Sequence, residues 1–235
     1  MNSSGNTKVI AIPKKSEKLA EFVGIVLGDG NIDAYKKGKK IRTYAVRIAG
    51  HAIDDYEYMK DYVAPLASSL FQVRSSIHFH RTNKGMYVSI YGKRIVEFFN
   101  KMGIKSGNKI RNKTKIPGWI LKEKKYIRAC LRGLYDTDGS IYELLPHWPG
   151  LYQLNFDNYN LIMLKQVRFL LIKIGYHPSK IHGNKTKNGT KVDLTRKAEI
   201  KKFYKEIGTH NKKHKDRFLG IAPSKGLSLE KPCGI

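Results

Sequence analysis

The chain has 235 residues, of which 41% are hydrophobic and 27% charged, so it can bury a core and is too apolar for wholesale disorder. No apolar run approaches the ~18 residues of a membrane span, and two cysteines, Cys130 and Cys233, exclude a disulfide framework or a four-thiolate zinc site. Lys and Arg number 45 against 19 Asp and Glu, a formal net charge of +26, which points to a polyanionic partner.

In chain order, the spacing predicts a helix over 16–28 with Ser16 as its N-cap, then strands near 31–36 and 41–49 and a helix over 54–70. In the next strand Phe71, Val73, Ile77 and Phe79 alternate with Gln72, Arg74, Ser76, His78 and His80, one greasy face and one basic-polar face. Its partner puts Met86, Val88 and Ile90 on one side and Tyr87, Ser89 and Tyr91 on the other, and a helix near 94–102 follows. A second series begins with a helix over 123–137, then a strand at 152–156 and a helix over 160–174. Strands near 177–182 and 190–196 and a helix near 197–207 complete it.

The two series are copies of one unit. Phe22-Val23-Gly24-Ile25-Val26-Leu27-Gly28-Asp29-Gly30-Asn31-Ile32 is echoed by Leu131-Arg132-Gly133-Leu134-Tyr135-Asp136-Thr137-Asp138-Gly139-Ser140-Ile141, an offset of 109. Phe98 to Gly103 is echoed by Phe203 to Gly208 at 105, and Ile77-His78 by Ile181-His182 at 104. Three echoes in one order, with slowly drifting offsets, are not chance. The expected organisation is a tail over 1–15, a first half over 16–104, a basic linker over 105–122, a second half over 123–221 and a tail over 222–235. The fold class is α/β (α+β): two pseudo-symmetric αββαββα halves, whose two antiparallel sheets form a basic saddle.

Charge follows the same organisation. Residues 101–125 hold nine Lys or Arg against one acid, and residues 180–217 hold thirteen against four. A shorter basic run spans residues 36–42. A clean basic amphipathic helix with an apolar face is not found, which favours nucleic acid over a membrane surface.

Small residues at Gly24, Gly28, Gly133 and Thr137 lie on one face of each motif helix and permit two backbones to approach closely. Asp29 and Asp138 follow that seam, each before a glycine. An acid at a helix C-terminus opposes the macrodipole, and pairing the helices pairs the acids. Two carboxylates so placed are explained by hard divalent cations between them.

The two segments resemble the LAGLIDADG motifs of the homing endonuclease family, the first loosely and the second (Leu-Arg-Gly-Leu-Tyr-Asp-Thr-Asp-Gly) closely. Ile116-Pro117-Gly118-Trp119-Ile120 and the stretch from Asn211 to Phe218 also look like family segments. The resemblance implies a monomeric, two-motif, site-specific double-strand DNA endonuclease that hydrolyses phosphodiester bonds with divalent metal. Asp29 and Asp138 are then the catalytic metal ligands, helped by the Gly28 and Thr137 carbonyls, and Lys109 and Lys213 assist. Mg2+ is the expected cofactor, with Mn2+ as a substitute and Ca2+ supporting binding without cleavage. The expected partner is double-stranded DNA with a long, imperfectly symmetric target. Two alternatives stay open: an intron-RNA maturase, and a non-catalytic DNA-binding regulator on the same fold.

Strand alternation nominates Thr43, Arg47, Arg74, Ser76, His78, His80, Tyr87, Ser89 and Tyr91 as DNA contacts in the first copy. In the second it nominates Gln153, Asn155, Lys191, Asp193 and Thr195. Asp136 reads as structural because the first copy has Leu27 there, and Cys130 as a small buried thiol. Asp-Thr-Asp-Gly fits neither an aspartic protease nor a calcium loop, and Gly28-Asp29-Gly30 is no phosphate loop. The first residue is Met and the last four are Pro-Cys-Gly-Ile, so a free-standing or intron-encoded protein is expected rather than an intein. An intracellular location is expected from the lack of an apolar leader core in residues 1–15.

Overall fold

The computed structural model describes residues 10–37, 40–183 and 190–224, with the side chains of 35–37, 40–42 and 221–224 excluded. The side chains of the basic run at 36–42 therefore lie outside the described residues.

Helix α1 (Glu17–Gly28) starts where the Ser16 side chain accepts from the Leu19 amide. Every residue from Leu19 to Gly28 is buried, so α1 is an interior helix rather than an amphipathic surface one. Strands β1 (Gly30–Lys37) and β2 (Lys40–His51) pair antiparallel, with a register shift after Tyr35. A helical segment then runs to Phe71, its first part a π-helix (Tyr58–Val63) and its second α2 (Ala64–Phe71). Pro65, at the start of α2, has no N–H to give the preceding turn, and the wider π turn lies just before it. Strands β3 (Ser76–Phe79) and β4 (Gly85–Tyr91) and helix α3 (Lys93–Lys101) complete the copy, and the sheet order is β1-β2-β4-β3.

After a short 3-10 turn (Ile120–Lys122), the second copy runs α4 (Lys124–Asp138), β5 (Gly139–Leu144), β6 (Trp148–Asn158), α5 (Leu161–Lys173), β7 (Thr190–Leu194) and α6 (Lys197–Glu206). Its sheet order is β5-β6-β7. Helix α7 (Lys212–Ser224) follows. Helices α1 and α4 pack against each other at the centre, and one hydrophobic core runs through both copies from Leu19 to Phe218. No described helix is long and apolar enough to cross a membrane.

Two expectations need correction. The strand expected from Phe71 begins only at Ser76, because α2 continues to Phe71 and Gln72 ends it in the left-handed conformation (φ 54°). Phe71 is a core residue packed on Phe22 and Phe99, and helical winding buries it as well as strand alternation would. The strand expected near 177–182 is a loose companion to β7. It contributes the Ser179 N–H to Asp193 O at 2.9 Å and a single bridge between His182 and Lys191. Pro178 removes a donor at its start.

Candidate active site

The seam between α1 and α4 is built by glycine. A methyl on Gly24 would meet the Cys130 carbonyl oxygen at 2.2 Å, and one on Gly133 would meet the Glu21 carbonyl oxygen at 2.2 Å. At Gly28 a methyl would fall 2.0 Å from the Thr137 hydroxyl and 3.3 Å from the Asp138 carboxyl carbon. The Thr137 hydroxyl is held against Gly28 by donating back to the Gly133 and Leu134 carbonyls, both at 3.1 Å. The close approach therefore delivers the C-terminal ends of both helices to one point.

Asp29 and Asp138 stand at those ends. Asp29 is exposed to solvent where it lines a cleft, with protein atoms close about its carboxylate, and Asp138 is half-buried. Burial raises Asp29 to a pKa of about 6, with Asp55 pushing it up further and Lys109 and Lys213 pulling it down. Burial and then the nearby Asp29 charge raise Asp138 to about 7, against Lys109 and a hydrogen bond from Asn158. That hydrogen bond, Asn158 Nδ2 to Asp138 Oδ2, is 2.6 Å.

Lys109 lies near both carboxylates, and Lys213 acts on Asp29. Lys109 is buried beside Asp138, and its Nζ donates to the Val26 carbonyl at 3.4 Å, the Leu27 carbonyl at 2.8 Å and the Gly28 carbonyl. Its ammonium thereby caps the negative end of α1. Burial lowers its pKa, while Asp138 and Asp29 act in the opposite direction. Lys213 lies toward Asp29, but its Nζ is 2.7 Å from Asp55 Oδ1. Asp55 also accepts from the His51 amide and from Asn211 Nδ2, both at 3.0 Å.

Two clefts open here. One, of about 300 Å3, is lined by Gly28, Lys109, Asp138, Asp157, Asn158 and Asn160 among others. The other, of about 450 Å3, is lined by Asp29, Asn31, Arg47, Ala49, His80 and Tyr87 and joins the site to the first sheet. The two carboxylates, hard oxygen ligands at the ends of the paired helices, fit a divalent cation, which would take the place near them that the Lys109 ammonium shares. The Gly28 carbonyl, expected as a metal ligand, is bonded to Lys109 here.

On the first sheet Asn31, Arg47, Ser89 and Ser76 form one row across the strands, with Ala49, Tyr87 and His78 in the row beside it. Arg47 pairs with Asp33 and lies over the Tyr87 ring, which stacks on His78. Tyr91 and His80 are exposed, Thr43 is half-buried, and Arg74 is exposed but precedes β3. Ser89 departs from expectation: flanked by these larger side chains, it is completely buried. In the second sheet Gln153, Asn155 and Asp193 are also buried, Asn155 accepting from Ser140 and Asp193 bonded to His182. Burial takes all four out of reach of a partner, and in the second sheet it leaves Lys191 (paired with Asp157) and exposed Thr195. Pleat alternation gives the face a residue looks toward; it does not report how tall its neighbours are.

Beneath the site, Glu21 of α1 is buried with Arg132 Nη2 at 2.5 Å, His210 Nδ1 at 2.7 Å and the Tyr62 hydroxyl at 2.7 Å. Burial alone would raise Glu21, and the bonds from His210 and Arg132 more than reverse it, so its pKa is lowered. Asp136 is fully buried and accepts from the Thr209 hydroxyl and, at 3.0 Å, from the His210 amide, anchoring the segment that leads to Lys213. Asp55, Asn158, Glu21 and Asn211 were not singled out by the sequence. Each stands at a turn, a strand end or a helix interior where its residue type is ordinary, and only the fold brings it to the seam.

Comparison with known proteins agrees with this fold. The LAGLIDADG-like domain model matches residues 125–208. The crystal structure of I-DmoI in complex with DNA and Mn superposes with a TM-score of 0.61 and 21% identity, covering 82% of this chain and 96% of that one. The N-terminal LAGLIDADG domain of DUF199/WhiA superposes at 0.54 and 17% identity, covering 86% and 88%. Residues 125–208 thus match a LAGLIDADG-like domain, and the chain as a whole has the fold of these solved LAGLIDADG proteins. Among curated proteins it is similar to reverse gyrase of Methanocaldococcus jannaschii, 27% identical over 92% of this chain and 12% of that protein. It is likewise similar to the replication factor C small subunit of the same organism, 26% identical over 92% and 11%. The chain thus spans about an eighth of the length of these relatives.

Proposed function

We propose that the chain is a site-specific DNA endonuclease that cuts both strands of a long, imperfectly symmetric duplex with divalent metal, acting as a monomer. One observation carries this: the glycine seam brings Asp29 and Asp138 to one point with Lys109 and Lys213 beside them. The curated relatives have unlike named roles and share only a small part of their length with it, so those roles are not transferred.

Asp29 and Asp138, with the Thr137 carbonyl, would hold Mg2+, which when bound polarises the scissile phosphate and activates water. Hydrolysis forms a bond from the water oxygen to phosphorus and breaks the bond to one sugar oxygen, which leaves with a proton. Lys109 and Lys213 stabilise the charge that develops on the phosphate, and Asn158 fixes the orientation of the Asp138 carboxylate. Arg47, His78, Tyr87 and Tyr91 supply base-edge and stacking contacts on the first sheet, and the surplus of Lys and Arg neutralises phosphates. A non-catalytic regulator would have no use for both acids, and both are present.

The test is to recover a bound duplex from a randomised pool and incubate it with Mg2+, Mn2+, Ca2+ or EDTA. Double-strand cleavage is expected with Mg2+ and Mn2+, and binding without cleavage with Ca2+. Tight, sequence-specific binding with no cut in any metal would replace the endonuclease reading with that of a regulator.

A further inference from the structure

The two halves of the site are not chemically equal. Asp55 immediately precedes the first copy's second helical segment, which starts at Tyr56, and Asn160 is the N-cap of α5 at the matching place in the second. The offset between them, 105, is the one that relates Phe98 to Phe203. Asp55 is charged and Asn160 is neutral. Asn160 spends its amide on the Thr114 carbonyl at 2.8 Å, whereas Asp55 accepts from Asn211 and from the Lys213 ammonium.

The two lysines therefore differ. The Lys109 ammonium donates to the neutral carbonyls at the end of α1 and, tied by a hydrogen bond to no carboxylate among the described residues, acts on Asp138 and then Asp29. Lys213 is tied to a carboxylate, with side-chain exposures of 24% for the lysine and 15% for Asp55. In a partly enclosed site this pairing cancels most of its field. The aspartate is itself anchored by the His51 amide and Asn211, and the Lys213 backbone amide donates to the same Asn211 side chain at 3.1 Å.

We propose that Asp55 is a positioning residue that restrains Lys213 and makes the two strand cuts unequal, the strand served by Asp138 and Lys109 being cut first. The proposal rests on the endonuclease reading. A lysine whose charge is already matched stabilises the developing phosphate charge less than a free one. Asp55→Asn installs the residue type that the second copy uses, retains an oxygen for the His51 amide and releases Lys213.

The experiment follows both strands at once. The duplex recovered from a randomised pool is cloned into supercoiled plasmid, and nicked and linear products are timed with Mg2+ and wild-type protein, Asp55→Asn, Lys109→Met and Lys213→Met. Wild type should accumulate nicked circle, with one strand cut about tenfold faster than the other. Lys109→Met should slow the fast strand, and Asp55→Asn should accelerate the slow strand and remove most of the nicked intermediate. General damage to the fold lowers both rates together and leaves their ratio unchanged. Equal strand rates in wild type, or an unchanged ratio in an Asp55→Asn protein that melts normally, would overturn the proposal. If Asp55→Asn does not fold, the lysine variants decide: equal losses from Lys109→Met and Lys213→Met, each on its own strand, contradict it. Failure of wild type to cut either strand takes down the endonuclease reading itself, a result distinct from equal cutting.

Discussion

Gly24 of α1 lies directly under the carbonyl oxygen of Cys130 in α4, so close that a single methyl would meet that oxygen at 2.2 Å, and Gly133 repeats the contact on Glu21. Backbone against backbone leaves no room for adjustment. Gly24→Ala and Gly133→Ala should each destabilise the protein by about 2–4 kcal/mol through forced separation of the helices. Gly118→Ala is the control, because nothing lies within 4 Å of its added methyl. Thermal melting of the three variants checks this, and a Gly24→Ala protein melting like Gly118→Ala would contradict the seam.

The Glu21–Arg132 ion pair crosses the same seam. Glu21 is 2% exposed, so removing its guanidinium partner leaves one oxygen of a buried carboxylate without its charged partner, while His210 and Tyr62 hold the other. Arg132→Met should cost about 3 kcal/mol. The double variant Glu21→Gln with Arg132→Met should recover part of that loss, measured as a coupling in a double-mutant cycle. Additive losses would mean that the two side chains do not depend on each other.

The active-site acids should cost stability in metal-free protein at neutral pH. Asp138 titrates near 7 when folded against 3.8 ordinarily, so between those values the folded chain holds a proton that the unfolded chain has released. Stability contributed by this group is therefore greatest at low pH and is lost as pH rises toward 7. Asp138→Asn removes the loss and keeps an acceptor for Asn158. It should melt above wild type in EDTA at pH 7.5, by about 1–2 kcal/mol after allowance for its partial exposure, and equal to it near pH 4. Glu21 and Asp55 have lowered values and act in the opposite sense, losing stability as pH falls, but they are common to both proteins. Added Mg2+ should close the gap by binding wild type.

Salt reports on the phosphate contacts. With ~6–10 phosphates neutralised, affinity for the recovered duplex should fall by roughly 10³–10⁵ between 50 and 200 mM salt. A nearly flat response would assign the basic excess to some other partner.

What the sequence made legible, and what it did not, follows from range. The duplication, the helix pair and the two acids were readable because each rests on spacing within one motif: Gly24 and Gly28 share a face at any packing angle. The end of α2 was misjudged because Phe71 is apolar on a helix and on a strand alike, and Gln72 gives no hint of its left-handed turn. Ser89, Gln153, Asn155 and Asp193 alternate as base contacts would and yet are buried, because alternation gives a side and not a depth. Asp55 was invisible, since its partners Asn211 and Lys213 are more than 150 residues away and an acid before a helix is ordinary.

Binding and cleavage measured side by side on one duplex test the central claim most directly. Asp29→Asn and Asp138→Asn should each abolish Mg2+-dependent double-strand cleavage, while binding in Ca2+ or EDTA stays as tight as wild type or becomes tighter, because a negative charge beside phosphate is gone. Full double-strand cleavage by either variant would show that the two acids at the helix seam are not the catalytic pair.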